Sequence, residues 1–109
     1  MQESKSTDDN LSEIQTNNEN YQLKLFIAGA SVNSLKAIEN IKSFCKNSLD
    51  NNVDLEIIDI YQQPLLAEQE QIIALPLLIK KYPLPERRFI GDLSETNKLL
   101  KGMGKNPKH

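Results

Sequence analysis

Apolar and polar residues alternate along two stretches of the chain, and between them apolar residues recur every three or four positions. In the first stretch Leu23, Leu25 and Ile27 share one face, which predicts a strand whose other face is also partly apolar. Residues 53–60 predict a second strand. The intervening pattern predicts an amphipathic helix of about 15 residues, whose buried side comprises Leu35, Ile38, Ile41, Cys45 and Leu49. This order indicates a right-handed βαβ unit with parallel pairing.

The second half of the pattern predicts a helix, a hairpin and a last short helix. Pro64 suits the first turn of a helix that should stop before Pro76, because a residue that precedes proline avoids the α region. Its expected buried side comprises Leu65, Leu66, Gln69, Ile72 and Ile73. Residues 77–81 and 87–90 predict two antiparallel strands joined by a short connection. Ser94 is expected to cap the final helix, which carries Leu99, Leu100 and Met103 and is ended by Gly102 or Gly104.

The resulting order, β-α-β-α-β-β-α with a proline just before the third strand, predicts an α/β fold of the thioredoxin-like type. The proline at this place is usually cis, so a cis Leu75–Pro76 bond is expected. We expect one domain over residues 21–104. Residues 1–20 are acidic and poor in apolar side chains, which predicts a disordered tail, and residues 105–109 predict a frayed basic tail.

Composition and charge narrow the possible functions. The chain has 109 residues and a formal net charge of −2, and its lysines and arginines do not form the dense clusters of a nucleic-acid binder. Its longest apolar run is far shorter than the roughly 20 residues that span a bilayer. The opening residues have neither the basic nor the apolar stretch of a signal sequence, so none is expected. We therefore expect a cytoplasmic protein that binds neither nucleic acid nor membrane.

Cysteine and histidine usage argues against an enzyme. A thioredoxin-like redox enzyme needs Cys-x-x-Cys where the first strand meets the first helix, because the helix N-terminus lowers the thiol pKa there. Residues 30–33 read Ala-Ser-Val-Asn at that place. Cys45 is the single cysteine and is expected in the core, and His109 is the single histidine and is terminal. Asp59 is expected to be a capping or solvated acid. Neither a metal site nor a cofactor is predicted.

Four basic side chains flank the predicted hairpin: Lys80, Lys81, Arg87 and Arg88. The two arginines are adjacent, so they should point to opposite sides of their strand. Two interpretations remain open. The charges could protect an edge strand from aggregation, or they could form a basic docking face for an acidic patch on a partner, since arginine binds carboxylates through two hydrogen bonds.

Residues 21–29 and, more specifically, residues 83–94, Pro-Leu-Pro-Glu-Arg-Arg-Phe-Ile-Gly-Asp-Leu-Ser, resemble the KaiB family of circadian clock proteins. The resemblance implies a non-enzymatic regulator that binds a KaiC-type ATPase in clock or stress-adaptation signalling. A thioredoxin-like adaptor or stress-response protein that acts without KaiC, and without redox activity, is the alternative. A redox enzyme that uses Cys45 is a third hypothesis.

The resemblance also implies roles for particular residues. Basic positions that family members use in docking or assembly are matched by Lys36, Lys80, Arg87 and Arg88. Turn and fold-switch positions fall at Leu75, Pro76, Gly91 and Asp92. The family is metamorphic, which implies an alternative β-α-β-β-α-α-β fold whose second half is refolded. The resemblance also implies self-association into a dimer or tetramer. Residues 74–77 read Ala-Leu-Pro-Leu where the family usually has Ala-Thr-Pro-Thr, which indicates a divergent member from outside the cyanobacteria.

Overall fold

The computed structural model describes residues 20–105. The acidic segment that precedes Asn20 and the last four residues lie outside this range, so the two predicted tails fall almost wholly outside it. Along the described chain the elements are β1 (Tyr21–Ile27), α1 (Val32–Ser48), β2 (Val53–Asp59), α2 (Pro64–Gln69), β3 (Leu77–Tyr82), β4 (Arg87–Ile90) and α3 (Thr96–Gly102). This is the predicted thioredoxin-like order and not the alternative β-α-β-β-α-α-β.

The four strands form one sheet in the order β2-β1-β3-β4. Strand β1 pairs in parallel with β2, and β3 pairs antiparallel with both β1 and β4. The predicted βαβ unit and the predicted hairpin are therefore confirmed. The Leu75–Pro76 bond is cis, as expected, and Tyr82–Pro83 and Leu84–Pro85 are also cis.

Strand β1 supplies side chains to a separate apolar layer on each face of the sheet. On one face Leu23, Leu25 and Ile27 pack with the buried sides of α1 and α3. On the other face Phe26 packs in a smaller cluster with Ile58, Leu77 and Ile79. The two layers follow from the alternation of side chains along a strand, and they confirm the prediction that both faces of the first strand are covered.

Helix α1 is rotated relative to the prediction at its first turn. Leu35 was expected on the buried side but is 54% exposed, whereas Ala37 and Ser34 are buried. The reason lies at the cap, where Ser34 donates its backbone N–H to Ser31 Oγ at 3.2 Å and its Oγ accepts the N–H of Ala28 at 3.3 Å. The hydroxyl of Ser31 also donates to Ser34 Oγ at 2.8 Å. Together these bonds satisfy the buried Ser34 hydroxyl and hold that residue, rather than Leu35, against the sheet.

Helix α2 is shorter than predicted. It ends at Gln69 instead of running almost to Pro76, and none of its residues is buried. Gln71 has a φ of 57°, and the N–H groups of Gln71 and Ile72 donate to the carbonyls of Glu68 and Ala67 at 3.1 and 3.0 Å. This is a Schellman ending, which usually places glycine at the left-handed position. A glutamine there carries no such signal, so the helix end could not be predicted.

The shortened helix changes which apolar side chains are buried. Leu65 and Ile73 were expected on the buried side, but they are 69% and 91% exposed. Leu66 and Ile72 are half-buried and pack against the second cluster as expected. Gln69, also expected on the buried side, is exposed. For Ile73 the prediction was wrong because it continued the helical spacing beyond Gln69, where the left-handed Gln71 reverses the direction of the chain. Within α2 it is Leu66, rather than Leu65 or Gln69, that packs against the sheet.

The last helix begins later than predicted. Ser94 was expected to cap it, but α3 starts at Thr96, and the N–H of Ser94 donates instead to Asp92 Oδ1 at 3.1 Å in the preceding turn. At its other end α3 stops at Gly102, and Gly104 follows with a φ of 82°. The prediction that one of these two glycines ends the helix is therefore confirmed.

Gly102 allows α3 to approach β4 closely, since a Cβ atom at this position would fall on the ring of Phe89. We expect Gly102→Ala to lower the free energy of unfolding by about 1–3 kcal/mol, because overpacking outweighs the better helix propensity of alanine. Urea denaturation measures the change. Lys101→Ala, at the exposed neighbouring position, serves as the control and should change stability by less than about 0.5 kcal/mol. Equal stability of the wild type and Gly102→Ala would contradict the close packing.

Candidate functional site

The junction of β1 and α1, where redox thioredoxins hold their cysteines, is braced by hydrogen bonds to a carboxylate. Asp59 Oδ1 accepts the N–H of Gly29 at 3.1 Å and the N–H of Tyr61 at 3.0 Å. Asp59 therefore links the loops that follow β1 and β2, in agreement with its expected capping role. The residues beside it, 30–33, hold no thiol.

Cys45 is buried in the larger cluster, away from that junction. Burial raises the pKa of its thiol to about 11, because the charged thiolate is poorly solvated there. Within residues 20–105 no group of three or more His, Cys, Asp or Glu side chains could hold a metal ion. No helix in the same range is long and apolar enough to cross a membrane.

The hairpin of β3 and β4 separates its basic side chains onto two faces of the sheet. Lys80 is the cross-strand partner of Arg87, and Ile79 is the partner of Arg88. Arg87 therefore lies on the face covered by α1 and α3, and Arg88 on the face covered by α2, as their adjacency predicted. Strand β4 is an edge strand whereas β3 is interior. Protection of an edge can thus explain the two arginines but not Lys80.

Lys80 departs from its expected place on the surface. It is only 3% exposed, because β3 is flanked on both sides by other strands. No carboxylate among the described residues forms an ion pair with it. Burial lowers the pKa of its ammonium group, and the nearby Arg87 guanidinium lowers it further. Lys80 and the exposed Arg87 thus form a like-charge pair, here called the Lys80–Arg87 pair, which costs stability in the isolated domain.

Arg88 belongs to a different arrangement, here called the Glu70 network, which comprises Glu70, Lys81, Glu86 and Arg88. Lys81 Nζ lies 2.9 Å from Glu70 Oε1 and 3.6 Å from Glu86 Oε1. Arg88 Nη2 lies 3.6 Å from Glu70 Oε1, and its Nε lies 3.6 Å from Glu86 Oε2. Two acids balance two bases. Arg88 is therefore neutralised within the chain, unlike Arg87.

The turn that follows β4 is attached to α1. Asn40 Nδ2 donates to the backbone oxygen of Asp92 at 2.8 Å. Hydrogen bonds from Ser94 lower the pKa of the Asp92 carboxyl group, and the Lys36 ammonium contributes to the same shift. Lys36 thus lies near Asp92, one helical turn before Asn40.

The fold-switch positions and the docking positions are only partly brought together. Gly91 donates its N–H to the oxygen of Pro76 at 3.0 Å, which joins the two turns that flank the hairpin. Lys36, by contrast, lies near Asp92, past the end of β4, whereas Arg87 is the first residue of that strand. The basic residues singled out in the sequence therefore do not form one patch.

Two residues of the site, Glu70 and Glu86, were not identified from the sequence as site residues. Glu86 stands next to the arginines in the sequence, which was an available signal. Glu70 is 11 residues from Lys81 and 18 from Arg88, and its contacts depend on the way α2 folds back over the sheet. No local pattern indicates such a contact.

These features define a thioredoxin-like domain that lacks the cysteine pair of the redox enzymes and carries a charged hairpin. The chain belongs to the KaiB family, since the family model of the KaiB domain matches residues 24–104. The resemblance seen in the sequence is thereby confirmed.

Relatives in cyanobacteria share much of the chain. A circadian clock protein KaiB3 of Synechocystis is 47% identical over 81 residues, which cover 74% of this chain and 79% of that one. A circadian clock oscillator protein KaiB of Prochlorococcus marinus is 43% identical over 83 residues, which cover 76% of this chain and 78% of that one. Both relatives are named as circadian clock proteins.

Solved structures agree on the fold. The N-terminal domain of SasA from Synechococcus elongatus superposes with a TM-score of 0.66 at 19% identity, covering 84% of this chain and 90% of that chain. The thioredoxin Deadhead of Drosophila melanogaster superposes with a TM-score of 0.63 at 16% identity, and the match covers 86% of this chain and 88% of that chain. At identities this low, the similarity supports the fold alone. The superpositions confirm the prediction of a thioredoxin-like fold.

The buried charge of Lys80, which has no carboxylate partner in the described part of the chain, has a measurable consequence. Lys80→Met should stabilise the domain by about 1 kcal/mol near neutral pH, because it removes an ammonium group that burial penalises. The pKa of Lys80 is lower in the folded state than in the unfolded chain. Between these two pKa values the unfolded chain binds more protons than the folded protein, so the stability of the wild type rises with pH. The gain in free energy of unfolding that Lys80→Met gives over the wild type should therefore become smaller as the pH approaches about 10.4, the ordinary pKa of lysine. Urea denaturation between pH 7 and 10 measures both effects.

Lys42→Met, at an exposed position of α1, is the matched control for Lys80→Met and should alter stability by less than about 0.5 kcal/mol at every pH. A Lys80→Met protein that is less stable than the wild type near neutral pH would contradict the view that the Lys80 charge is uncompensated.

The buried thiol should be almost inert in the folded protein. With a pKa of about 11, Cys45 holds very little reactive thiolate at pH 8. Alkylation of the native protein by iodoacetamide should be at least about a hundredfold slower than alkylation in urea, since each unit of pKa removes about tenfold of the thiolate. Mass spectrometry over time measures both rates. Rapid native labelling would return Cys45 to consideration as a functional thiol.

Proposed function

We propose that this domain is a non-enzymatic regulator that docks on a KaiC-type ATPase, in clock or stress-adaptation signalling. Its membership of a family of circadian clock proteins supports the proposal. The single observation that carries the docking part is the Lys80–Arg87 pair. Two cations lie side by side on adjacent strands, and no carboxylate of the described chain compensates them.

The Lys80–Arg87 pair fits an acidic group supplied by a partner. Arg87 is exposed at the start of the edge strand, so its guanidinium can form two hydrogen bonds to a carboxylate. Lys80 lies beside it, and an approaching carboxylate would offset the penalty that burial places on its ammonium group. Docking would therefore relieve an electrostatic cost that the free domain carries.

Arg87 and Arg88 have different roles in this proposal. Arg88 already has two carboxylates and a backbone oxygen as partners. Substitution of Arg88 should therefore lower the stability of the domain more than its affinity for a partner. Lys36 is exposed near Asp92 and would form a second, separate contact. The proposed docking surface accordingly contains Arg87 and Lys36 at its two ends, with Lys80 supporting Arg87 from within the sheet.

The proposal also includes the fold switch and the self-association that the family resemblance implies. The hydrogen bond from Gly91 to Pro76 supports a shared role for the two turns, since neither turn can rearrange without breaking it. Leu75 is half-buried beside Pro76, and Asp92 adjoins Gly91, so all four positions lie in the turns that flank the hairpin.

A thioredoxin-like adaptor that works without KaiC is a second candidate. Apolar residues that are unusually exposed follow β1 and β2, where redox thioredoxins hold their active site: Val32, Leu35, Tyr61 and Leu65. Such a surface favours binding of an apolar segment. A phenotype that survives deletion of the KaiC-type ATPase would favour this candidate over the first.

Charge reversal at the two arginines separates docking from folding. Arg87→Glu should weaken binding to the KaiC-type ATPase of the same organism by tenfold to a hundredfold, about 1–3 kcal/mol. Its stability should be equal to that of the wild type or higher, because the new carboxylate lies beside Lys80. Arg88→Glu should instead lower the free energy of unfolding by about 1–2 kcal/mol, because it adds a third carboxylate to the Glu70 network. Affinity by fluorescence titration and stability by urea denaturation measure the two effects.

Lys42→Glu reverses an exposed charge on α1 outside both arrangements and is the control for charge reversal in general. Its affinity should stay within about twofold of the wild type. The complex should be sought after several days of incubation, to allow slow rearrangement. No complex after that time, or an equal loss of affinity in Lys42→Glu and Arg87→Glu, would overturn the proposal.

A further inference from the structure

The face of the sheet opposite α1 and α3 has a thin cover. Its cluster consists of Phe26, Ile58, Leu77 and Ile79, and each of these side chains is at most 3% exposed. Residues 64–75, which contain α2 and the loop after it, contribute only half-buried side chains to this cover, and α2 itself has no buried residue. The segment thus shields a dry apolar surface while burying little of itself, so its own packing contributes little to holding it in place.

Glu70 supplies a polar attachment at the end of α2. Its Oε1 accepts from Lys81 Nζ at 2.9 Å, and its backbone oxygen accepts from Arg88 Nη2 at 2.8 Å. The side chain of Glu70 is 19% exposed, so these bonds are better shielded from solvent than an ordinary surface ion pair. Glu70 therefore connects the segment to both strands of the hairpin.

The Glu70 network is asymmetric between the two parts of the fold. Lys81, Glu86 and Arg88 all belong to the hairpin, and Glu70 is the single member from residues 64–75. Loss of Glu86 would leave both cations free to bind Glu70. Loss of the Glu70 carboxylate would leave the hairpin cations paired with Glu86. The segment would then be attached only through the hydrogen bond from Arg88 to the backbone oxygen of residue 70.

We propose that residues 64–75 form a lid over this face, that the lid opens while the rest of the domain stays folded, and that Glu70 is the latch that holds it closed. Opening exposes the apolar side chains of Phe26, Ile58, Leu77 and Ile79. The latch thereby controls access to an apolar surface that the closed domain conceals. This inference is independent of docking on an ATPase, because it concerns the isolated domain.

Native-state hydrogen exchange on the full chain tests the lid. The amide hydrogens of Glu70, Gln71 and Ile72 donate to carbonyls within the lid, and they become free when it opens because a helix of 6 residues is not stable once it leaves the sheet. In the wild type these amides should exchange faster than those of Ile41 to Cys45 in α1. Glu70→Gln should speed lid exchange about three- to tenfold and leave the α1 amides within twofold, as expected for loss of a shielded pair. Raising the salt concentration to about 1 M, where the Debye length is about 3 Å, should speed lid exchange in the wild type more than in Glu70→Gln.

Two further variants isolate the latch. Glu68→Gln removes the same charge from the exposed side of the same helix and should leave lid exchange unchanged. Glu86→Gln should leave it unchanged or slow it, because Lys81 and Arg88 then bind Glu70 alone. Equal rates in Glu70→Gln and Glu68→Gln, or a lid that exchanges only together with α1, would overturn the proposal. The salt dependence of the wild type decides the question even if Glu70→Gln proves too unstable to study.

Discussion

Burial of β1 on both faces is the constraint on which the rest of this structure depends. Leu23 and Leu25 face one apolar layer and Phe26 faces the other, each nearly inaccessible to water. Full burial of such side chains contributes about 1.5–3 kcal/mol each, so a cover is needed on both sides. Helices α1 and α3 cover one face, and α2 with its following loop covers the other. The parallel partner β2 and the antiparallel partner β3 then satisfy both edges of the strand.

The two faces of the sheet are covered in different ways, and the charged side chains of the hairpin differ between them. The face below α1 and α3 is closed by a large apolar cluster. The cations that reach it, Lys80 and Arg87, have no carboxylate partner within residues 20–105. The opposite face is closed by a short segment whose attachment is partly ionic, through Glu70. One hairpin thus presents an uncompensated charge pair on one side and a neutralised network on the other. Adjacent residues of the same type, Arg87 and Arg88, thus have different charge environments.

Much of the fold was predictable because its signals are local. The alternation in β1, the helical spacing in α1 and the proline before β3 each depend on residues close together in sequence, and these determine element type well. The misplaced features have non-local or atypical causes. Gln71 occupies a left-handed position at the end of α2. Such a position can usually be recognised in a sequence because it is glycine. Leu35 is exposed because the Ser34 hydroxyl finds partners in Ser31 and Ala28.

The sequence by itself determined the order of the elements, the absence of a cysteine pair at the first helix, and the resemblance at residues 83–94 that identified the family. Only the tertiary structure decided which charges are free. Burial of Lys80 depends on the strands that flank β3, and the partner of Lys81 and Arg88 is Glu70, which is distant in sequence. The physical reason is that covalent neighbours set local conformation, whereas the solvation and pairing of a charge depend on everything that folds around it.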